Sequence, residues 1–295
     1  MRVKSAMRPL NRKHPAGGPA GEYVRFHSSP FAWVDAMTAS TARRFPRHTH
    51  DQYGIGVVDS GAHSSWSDRG QVEATPGELI CVNPGEVHDG SPIGGRSRSW
   101  RLLYLDPRIV AETLEDVSDG ASRSFMFVSP VFADSEVRRL FDAAFARIAR
   151  ASATDGIGPA GAEMELDTAL LKLIACTRRH STARVPSSQH PVPAIVRARA
   201  RIDADPTAPL TLKELAREAG LSRFQLIRGF AQEIGLTPHA YVLQRRMALA
   251  RQLILRGRDL TEVALATGFY DQSHFTRYFV RQFGVTPHRY GSRSA

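Results

Sequence analysis

The sequence predicts an α+β protein in two parts, a β-rich N-terminal domain with trailing helices and an all-α C-terminal domain. Short apolar runs broken by Gly, Pro, Asn and Asp recur between residues 23 and 104, a texture typical of a small sandwich or barrel. From residue 134 onwards, apolar residues recur instead at helical spacing, and one helical unit is repeated near the C-terminus. A chain of 295 residues has the length of about two domains.

Charge is distributed unevenly between these two parts. The formal net charge is +10, and residues 191–295 carry 16 Lys and Arg against 8 Asp and Glu. Residues 15–190 carry 18 basic against 21 acidic side chains. This asymmetry indicates that the C-terminal domain meets polyanions and the preceding domain does not. A generally arginine-rich composition is the alternative, because only four of the 39 basic residues are lysines.

Several classes of protein are excluded by what the sequence lacks. Two cysteines, Cys81 and Cys176, are too few for a disulfide framework or a four-thiolate zinc site. The sequence has no run near the roughly 18 apolar residues of a membrane span. The basic N-terminal segment lacks the apolar core of a signal peptide, so we expect a cytoplasmic protein. Residues 1–20 are predicted to be a disordered basic tail.

The β-rich part is predicted to form a barrel over residues 21–110, with strands such as YGIGVVDSG and RLLYLDP. A helical region follows at 111–182, with one helix capped by Asp134 and a second carrying Leu166 and Leu170 on one side. The barrel does not obviously cover these apolar stripes, so packing within the domain and pairing with a second copy both remain open. Residues 183–193 hold three prolines and predict a linker.

The final part of the chain, residues 194–295, contains an internal duplication. Four positions recur 48 residues later: Leu212, Glu214, Ala216 and Gly220 as Leu260, Glu262, Ala264 and Gly268. After one inserted residue, seven recur 49 later: Arg228, Phe230, Gly235, Thr237, Pro238, His239 and Tyr241 as Arg277, Phe279, Gly284, Thr286, Pro287, His288 and Tyr290. So many matches in one register indicate a duplicated unit.

Each copy is predicted to be a short helix, a glycine turn and a second helix with a polar N-cap. This is the helix-turn-helix plan, whose second helix enters the major groove of DNA. The first unit spans 211–233 with Ser222 as the cap, and the second spans 260–283 with Asp271 as the cap. A linking helix at 238–256 would hold the two units at a fixed separation. A helical solenoid is the alternative, but solenoids usually need at least three repeats.

The segment GFYDQSHFTRYFVRQFGVTPHRY (268–290) resembles the signature of the AraC/XylS family of bacterial transcription regulators. The resemblance covers residues 194–290, about a third of the chain. It implies two helix-turn-helix units that bind double-stranded DNA at specific sequences. It also favours an activator, which would have RNA polymerase as a further partner.

Candidate DNA-binding residues follow from that resemblance and from position on the second helices. The family positions that touch bases correspond to Phe224, Ile227 and Arg228. Helical spacing leaves six more residues facing outward: Arg223, Gln225, Gln272, Ser273, Thr276 and Arg277. It assigns Leu226, Phe230, Phe275 and Phe279 to the core. Arginine can bind guanine and glutamine can bind adenine through paired hydrogen bonds. For each residue, a phosphate contact or solvation is the alternative.

A second resemblance covers RHTHDQYGIGVVDSG…TPGELICVNPGEVHDG at residues 47–90. It is similar to the cupin-type effector-binding domain of many AraC-family regulators. His48 and His50 fit the first cupin motif, and Pro84, Gly85 and His88 fit the second. The Glu of the first motif is replaced, because its position falls on Gly54 or Ile55. The resemblance implies a barrel around a small-molecule pocket, for which the candidate lining residues are His48, His50, Tyr53, Trp66, Glu86 and His88.

Three imidazoles on facing strands could alternatively bind a metal, either in a cupin enzyme or in a metal sensor. Because the Glu is missing and the C-terminal domain indicates another role, we predict a regulator and not an enzyme, with no metal and no cofactor. A nonspecific nucleoid-type DNA binder and an architectural activator without an effector also remain open. The family resemblance further implies a homodimer formed through the helices of 111–182.

Overall fold

The computed structural model describes residues 21–67, 70–118, 125–153, 161–182 and 192–292. The predicted tail at 1–20 and positions 183–191 of the predicted linker lie outside these ranges. Within them, the chain forms a β-rich domain followed by an all-helical domain. No helix in the described ranges combines the length and apolar character needed to cross a bilayer.

The β-rich domain is built from antiparallel strands. In chain order these are β1 (Tyr23–His27), β2 (Val34–Thr41), β3 (Phe45–His48), β4 (Tyr53–Ser60), β5 (His63–Ser67), β6 (Gly70–Ala74), β7 (Leu79–Val82), β8 (His88–Pro92), β9 (Arg98–Leu105), β10 (Met126–Phe127), β11 (Val131–Phe132) and β12 (Ser181–Thr182). The larger sheet has the order β1-β2-β9-β4-β7-β11, the smaller sheet has the order β3-β8-β5-β6, and β10 pairs with β12.

In the part of the chain that the structure describes, three α-helices complete this domain and seven belong to the C-terminal domain. The first three are α1 (Pro107–Val117), α2 (Ser135–Ala153) and α3 (Ala162–Thr177). The C-terminal helices are α4 (Pro193–Ala204), α5 (Leu212–Ala219), α6 (Arg223–Ile234), α7 (Pro238–Leu255), α8 (Leu260–Ala266), α9 (Gln272–Phe283) and α10 (Pro287–Gly291). The predicted helix-turn-helix units correspond to α5–α6 and α8–α9, and the predicted linking helix corresponds to α7.

Both faces of the larger sheet are apolar. Along β2, Val34 and Ala36 pack into one core, whereas Met37 and Ala39 pack into another, because successive side chains of a strand point to opposite faces. The first core also contains α1, α2 and α3. The second face points toward the smaller sheet and the C-terminal domain.

The apolar stripes of α2 and α3 are covered within the domain. Phe141 and Ile148 of α2 and Leu170 and Leu173 of α3 are all fully buried against the first face of the larger sheet. The expectation that the barrel leaves these stripes uncovered is therefore wrong, since the sheet turns a complete apolar face toward them. Asp134 caps α2, as predicted, by accepting hydrogen bonds from two backbone amides of its first turn.

The helix-turn-helix units form because local signals agree with the apolar spacing. Thr211 and Ser222 close capping boxes at the starts of α5 and α6. Asp271 caps α9 by accepting a hydrogen bond from the amide of His274. Gly220 ends α5 in the left-handed region at φ +71°, a conformation that glycine adopts without steric cost.

The C-terminal domain packs against the second face of the larger sheet. Met37 and Trp100 from the sheet share one buried cluster with Phe279 and Phe283 of α9. Two arginines of α7 cross the boundary: Arg251 binds Asp35, and Arg245 binds Asp51. The sheet face that lines the interior of the barrel is therefore also part of the boundary between the domains.

Candidate effector cavity and nucleic-acid interface

Helix α6 presents a polar and aromatic face to solvent. Leu226 and Phe230 are fully buried, which confirms their assignment to the core. The five other predicted residues of this helix are all exposed: Arg223, Phe224, Gln225, Ile227 and Arg228. Phe224 is 72% exposed, which is unusual for a phenylalanine in a folded domain. An exposed aromatic ring beside exposed arginines suits a surface that meets another molecule.

Helix α9 repeats this arrangement in the second unit. Phe275 and Phe279 are fully buried, again as predicted. Three of the predicted residues, Gln272, Ser273 and Arg277, are exposed, and Thr276 is half-buried. The two buried rings are four residues apart and so lie on the same side of the helix, which leaves the opposite side facing solvent.

The arginines on these two faces are free to bind an anion. Arg223, Arg228 and Arg277 form no ion pair with any residue in the described ranges. Their planar guanidinium groups can therefore bind phosphate oxygens or the O6 and N7 atoms of guanine without first breaking an internal bond. Unpaired surface arginines of this kind suit the binding of an anionic partner.

A cavity of about 100 Å³ lies between the two sheets. The larger sheet contributes Met37, Leu102 and Tyr104, and strands of the smaller sheet contribute Val72 and Gly90. A cavity of about 150 Å³ is enough for a benzene ring, so this one has room only for a more compact molecule or for an ion with waters.

Three histidines converge at one side of the cavity. The ring centroids of His48 and His88 lie 4.4 Å apart, those of His48 and His50 lie 4.8 Å apart, and those of His50 and His88 lie 5.2 Å apart. Burial lowers the pKa of His48. Burial and then the neighbouring imidazoles lower the pKa of His50 and His88 well below the ordinary value. The cluster is therefore composed of neutral imidazoles near pH 7.

A buried arginine lies behind another part of the cavity wall. Arg98 is 1% exposed, and its Nε donates to His63 Nδ1 at 2.9 Å. Burial lowers the pKa of Arg98 to about 10, and burial together with Arg98 lowers the pKa of His63 to about 3. No carboxylate in the described ranges forms an ion pair with Arg98, so neutral groups support this buried positive charge.

The C-terminal domain supplies part of the cavity wall. Gln282 and Phe283, the last two residues of α9, line the cavity together with the three histidines. Nearby, Arg251 donates to Asp35 at 3.0 Å and to the hydroxyl of Tyr290 at 2.8 Å. Burial opposes the charge on Arg251, but Tyr290 and Asp35 hold its pKa above the ordinary value. A buried, charged contact thus holds the helical domain against the barrel.

Two family models match separate parts of the chain. Residues 36–172 match the AraC-like ligand binding domain, and residues 215–293 match a helix-turn-helix domain. The chain belongs to the AraC family. As an AraC-family protein, it is a DNA-binding transcriptional regulator with an N-terminal ligand-binding domain. The predicted family and the predicted two-domain fold are confirmed.

Similar proteins agree with this assignment. An uncharacterized HTH-type transcriptional regulator, YbfI from Bacillus subtilis, is 26% identical over 234 residues, which cover 79% of this chain and 82% of YbfI. The probable transcriptional regulator LumQ from Photobacterium leiognathi is 42% identical over 28% of this chain and 33% of its own length. This chain thus spans about a third of LumQ but most of YbfI.

A solved structure of apo ToxT from Vibrio cholerae has the same overall fold. It aligns with a TM-score of 0.52 over 95% of this chain and 100% of ToxT, at 11% identity. This likeness concerns the fold alone, because few residues are shared. A β-rich domain followed by a helical domain is thus a fold already seen in a crystal structure.

The predicted pocket residues do not all meet. His48, His50, Glu86 and His88 line the cavity, as predicted. Tyr53 instead donates to the carbonyl of Phe125 in the core shared with α1–α3, and Trp66 packs under Arg47 at the surface. These two side chains lie outside the cavity, because they project from the other side of their strands.

Sequence reasoning also missed residues that line or support the cavity. His63 and Asp89 lie in its wall, and Arg98 supports it from behind. Gln282 and Phe283 are further from it in sequence, at the end of the second duplicated helix. The alternation of β5 could have pointed to His63. No sequence signal marks the two α9 residues, since their role depends on how the domains dock.

Proposed function

We propose that this AraC-family regulator binds a compact effector in the barrel cavity and reads DNA with the exposed faces of α6 and α9. One observation carries the proposal: α9 takes part in both surfaces. Its N-terminal half carries exposed Gln272, Ser273 and Arg277, and its last residues, Gln282 and Phe283, form cavity wall. An effector in the cavity would touch the helix that contacts DNA.

Contacts at equivalent places in the two repeats support this coupling. Gly235 and Gly284 end α6 and α9, and they are equivalent positions of the duplication. A Cβ at Gly235 would lie 3.3 Å from Val87 of the barrel domain, and one at Gly284 would lie 2.8 Å from Val24. Both reading helices therefore end against the barrel domain, so a shift of that domain would move both.

The proposed mechanism is a shift in population between domain arrangements. An effector changes DNA binding only as far as it binds one arrangement more tightly than the other. The docked arrangement described here closes the cavity with Phe283. A ligand that needs this wall would favour docking, and a ligand too large for about 100 Å³ would oppose it.

We further propose that two copies pair through α3 and that the protein activates transcription by contacting RNA polymerase. Met164 is 73% exposed and Leu171 is 37% exposed. They are seven residues apart, which places them on the same side of the helix. Exposed apolar residues in line on a helix are a common basis for pairing. The proposal of activation follows from membership of the family.

The test is selection of genomic DNA fragments by the purified full-length protein at near-physiological salt, followed by sequencing. We expect a motif of two blocks about one helical turn, roughly 34 Å, apart. Arg228→Ala should reduce the base preference within one block of the motif, and Arg277→Ala should reduce it within the other block. The selection is run with and without cell extract as a source of effector. If the protein captures fragments without sequence preference in both cases, site-specific reading of DNA is contradicted.

A further inference from the structure

Although the sequence led us to expect no metal, we propose that His48, His50 and His88 bind one divalent first-row transition-metal ion of the zinc class, with a coordination position open to the cavity. One potential ligand atom from each of the three side chains lies within 4.8 Å of the others. In the described ranges, this is the one group of three or more His, Cys, Asp or Glu side chains with such spacing. This metal site rests on the proposed function, because it assigns a class of ligand to the cavity in which the effector is proposed to bind.

Backbone contacts orient two of the rings for this role. His48 Nδ1 lies 2.7 Å from the carbonyl oxygen of Pro46, and His88 Nδ1 lies 3.1 Å from that of Glu86. A carbonyl oxygen can only accept, so each Nδ1 carries the proton. The Nε2 atom of each ring then keeps its lone pair for a metal. Metal-binding histidines are typically held in this way by an acceptor on the other nitrogen.

The electrostatic surroundings also suit a cation. A metal binds the neutral form of imidazole, and all three rings lie buried side by side in the cavity wall. Two acidic side chains, Glu86 and Asp89, line the same cavity and can balance part of the added charge.

The donor set points to one class of metal. Three imidazole nitrogens suit zinc and its neighbours in the first transition row, whereas magnesium and calcium prefer oxygen ligands. The Glu of the first cupin motif is replaced, since its position falls on Gly54 or Ile55, so a water or an effector atom would complete the coordination. Three histidines with one open position is a known plan for zinc.

A buried acceptor from the DNA-binding domain lies in the same cavity wall. Gln282 Oε1 is buried without a hydrogen-bond partner among the described residues, while its Nε2 donates to Gln244 at 2.8 Å. A buried unpaired acceptor is costly and calls for a donor. A metal-bound water carries O–H donors, so the ion would favour the docked position of α9.

The test uses the full chain, stripped with a chelator and titrated with Zn²⁺ or Co²⁺ alone. We expect one ion per chain by calorimetry and elemental analysis, and a cobalt absorption spectrum of the tetrahedral type. Zn²⁺ should also raise the thermal midpoint of unfolding, because it binds the folded state. His88→Gln should lose the bound ion and the thermal shift, and His50→Gln is a second ligand variant in case the first does not fold.

His63→Gln is the matched control, because His63 is a buried histidine of the same cavity that lies outside the cluster. It should still bind one ion. The inference is overturned if the stripped wild type binds no ion, or if His88→Gln and His50→Gln bind as well as the wild type. It is also overturned if His63→Gln folds but loses the ion equally.

This outcome is separable from that of the proposed function. Metal binding is measured here without DNA, and fragment selection needs no added metal. If no ion binds but a DNA motif is selected, the metal inference fails and the regulator stands. If the ion binds but no motif is selected, the metal site stands and the proposed DNA reading fails.

Discussion

Arg251 offers the sharpest test of how the two domains are held together. Its guanidinium donates to Asp35 and Gln52 of the barrel domain and to Tyr290 of its own domain. Replacing it with methionine keeps most of the side-chain volume but removes the charge and the donors. The carboxylate of Asp35 is then left in a site where its side chain is only 17% exposed.

The expected cost follows from that burial. Removing one partner of a buried ion pair costs about 3–5 kcal/mol in general. The Arg251 and Asp35 side chains retain 16% and 17% exposure, so water relieves part of the penalty. We therefore expect Arg251→Met to lower the free energy of unfolding by about 2–3 kcal/mol.

Arg245→Met is a matched control on the same helix. Arg245 also pairs across the domain boundary, with Asp51, but the side chains are 29% and 55% exposed. A pair this open to water contributes about 0–1 kcal/mol. Arg245 also pairs with Asp203 of its own domain, where the side chains are 29% and 33% exposed. The two variants thus remove the same charge from α7, but the pairs of Arg245 are more open to water than the pair of Arg251 with Asp35.

Urea unfolding measures the stability change, and small-angle X-ray scattering measures whether the domains separate. Arg251→Met should shift the unfolding midpoint and increase the radius of gyration, whereas Arg245→Met should do little to either. Equal effects of the two variants, or an Arg251→Met protein within about 0.5 kcal/mol of the wild type, would refute the claim that the buried pair secures docking.

Three further predictions concern other surfaces. Arg277→Ala should weaken binding to the selected DNA by about 1–3 kcal/mol but leave binding to scrambled DNA nearly unaffected. The control Arg258→Ala should change the affinity for neither DNA. An equal loss of affinity for both DNAs in a binding titration would mean that Arg277 contacts a phosphate. Met164→Glu with Leu171→Glu should convert a dimer to a monomer in sedimentation, and the monomer should keep the circular dichroism spectrum of the wild type. Gly268→Ala should cost about 1–3 kcal/mol in urea unfolding, because the glycine has φ +74° and a Cβ would lie 2.9 Å from a guanidinium carbon; a variant as stable as the wild type would contradict this.

Much of the helical domain could be predicted from sequence because its signals are local. A polar cap such as Ser222, a glycine such as Gly220 and apolar residues four apart act within one or two turns of chain. The same is true of the buried pair Phe275 and Phe279. The duplication strengthened these predictions, since each signal occurs twice.

The cavity was predictable only in part. The histidine pattern of the two cupin-like segments placed His48, His50 and His88 together correctly, although His88 is some forty residues from the others. Assigning Tyr53 and Trp66 to the same wall failed, because strand residues one position apart point to opposite faces. The sequence does not state which face of each strand turns inward.

By itself the sequence thus determined the domain order, the duplicated helix-turn-helix units with their caps and turns, and the family. Only the tertiary structure decided that Gln282 and Phe283 close a cavity whose histidines lie more than 190 residues earlier. It also decided that α2 and α3 pack inside their own domain, and that Arg251 is buried at the domain boundary. The physical reason is that caps, turns and helical spacing depend on neighbours along the chain. Sheet pairing and domain docking instead depend on the total burial and charge matching of distant surfaces, which leave no local pattern.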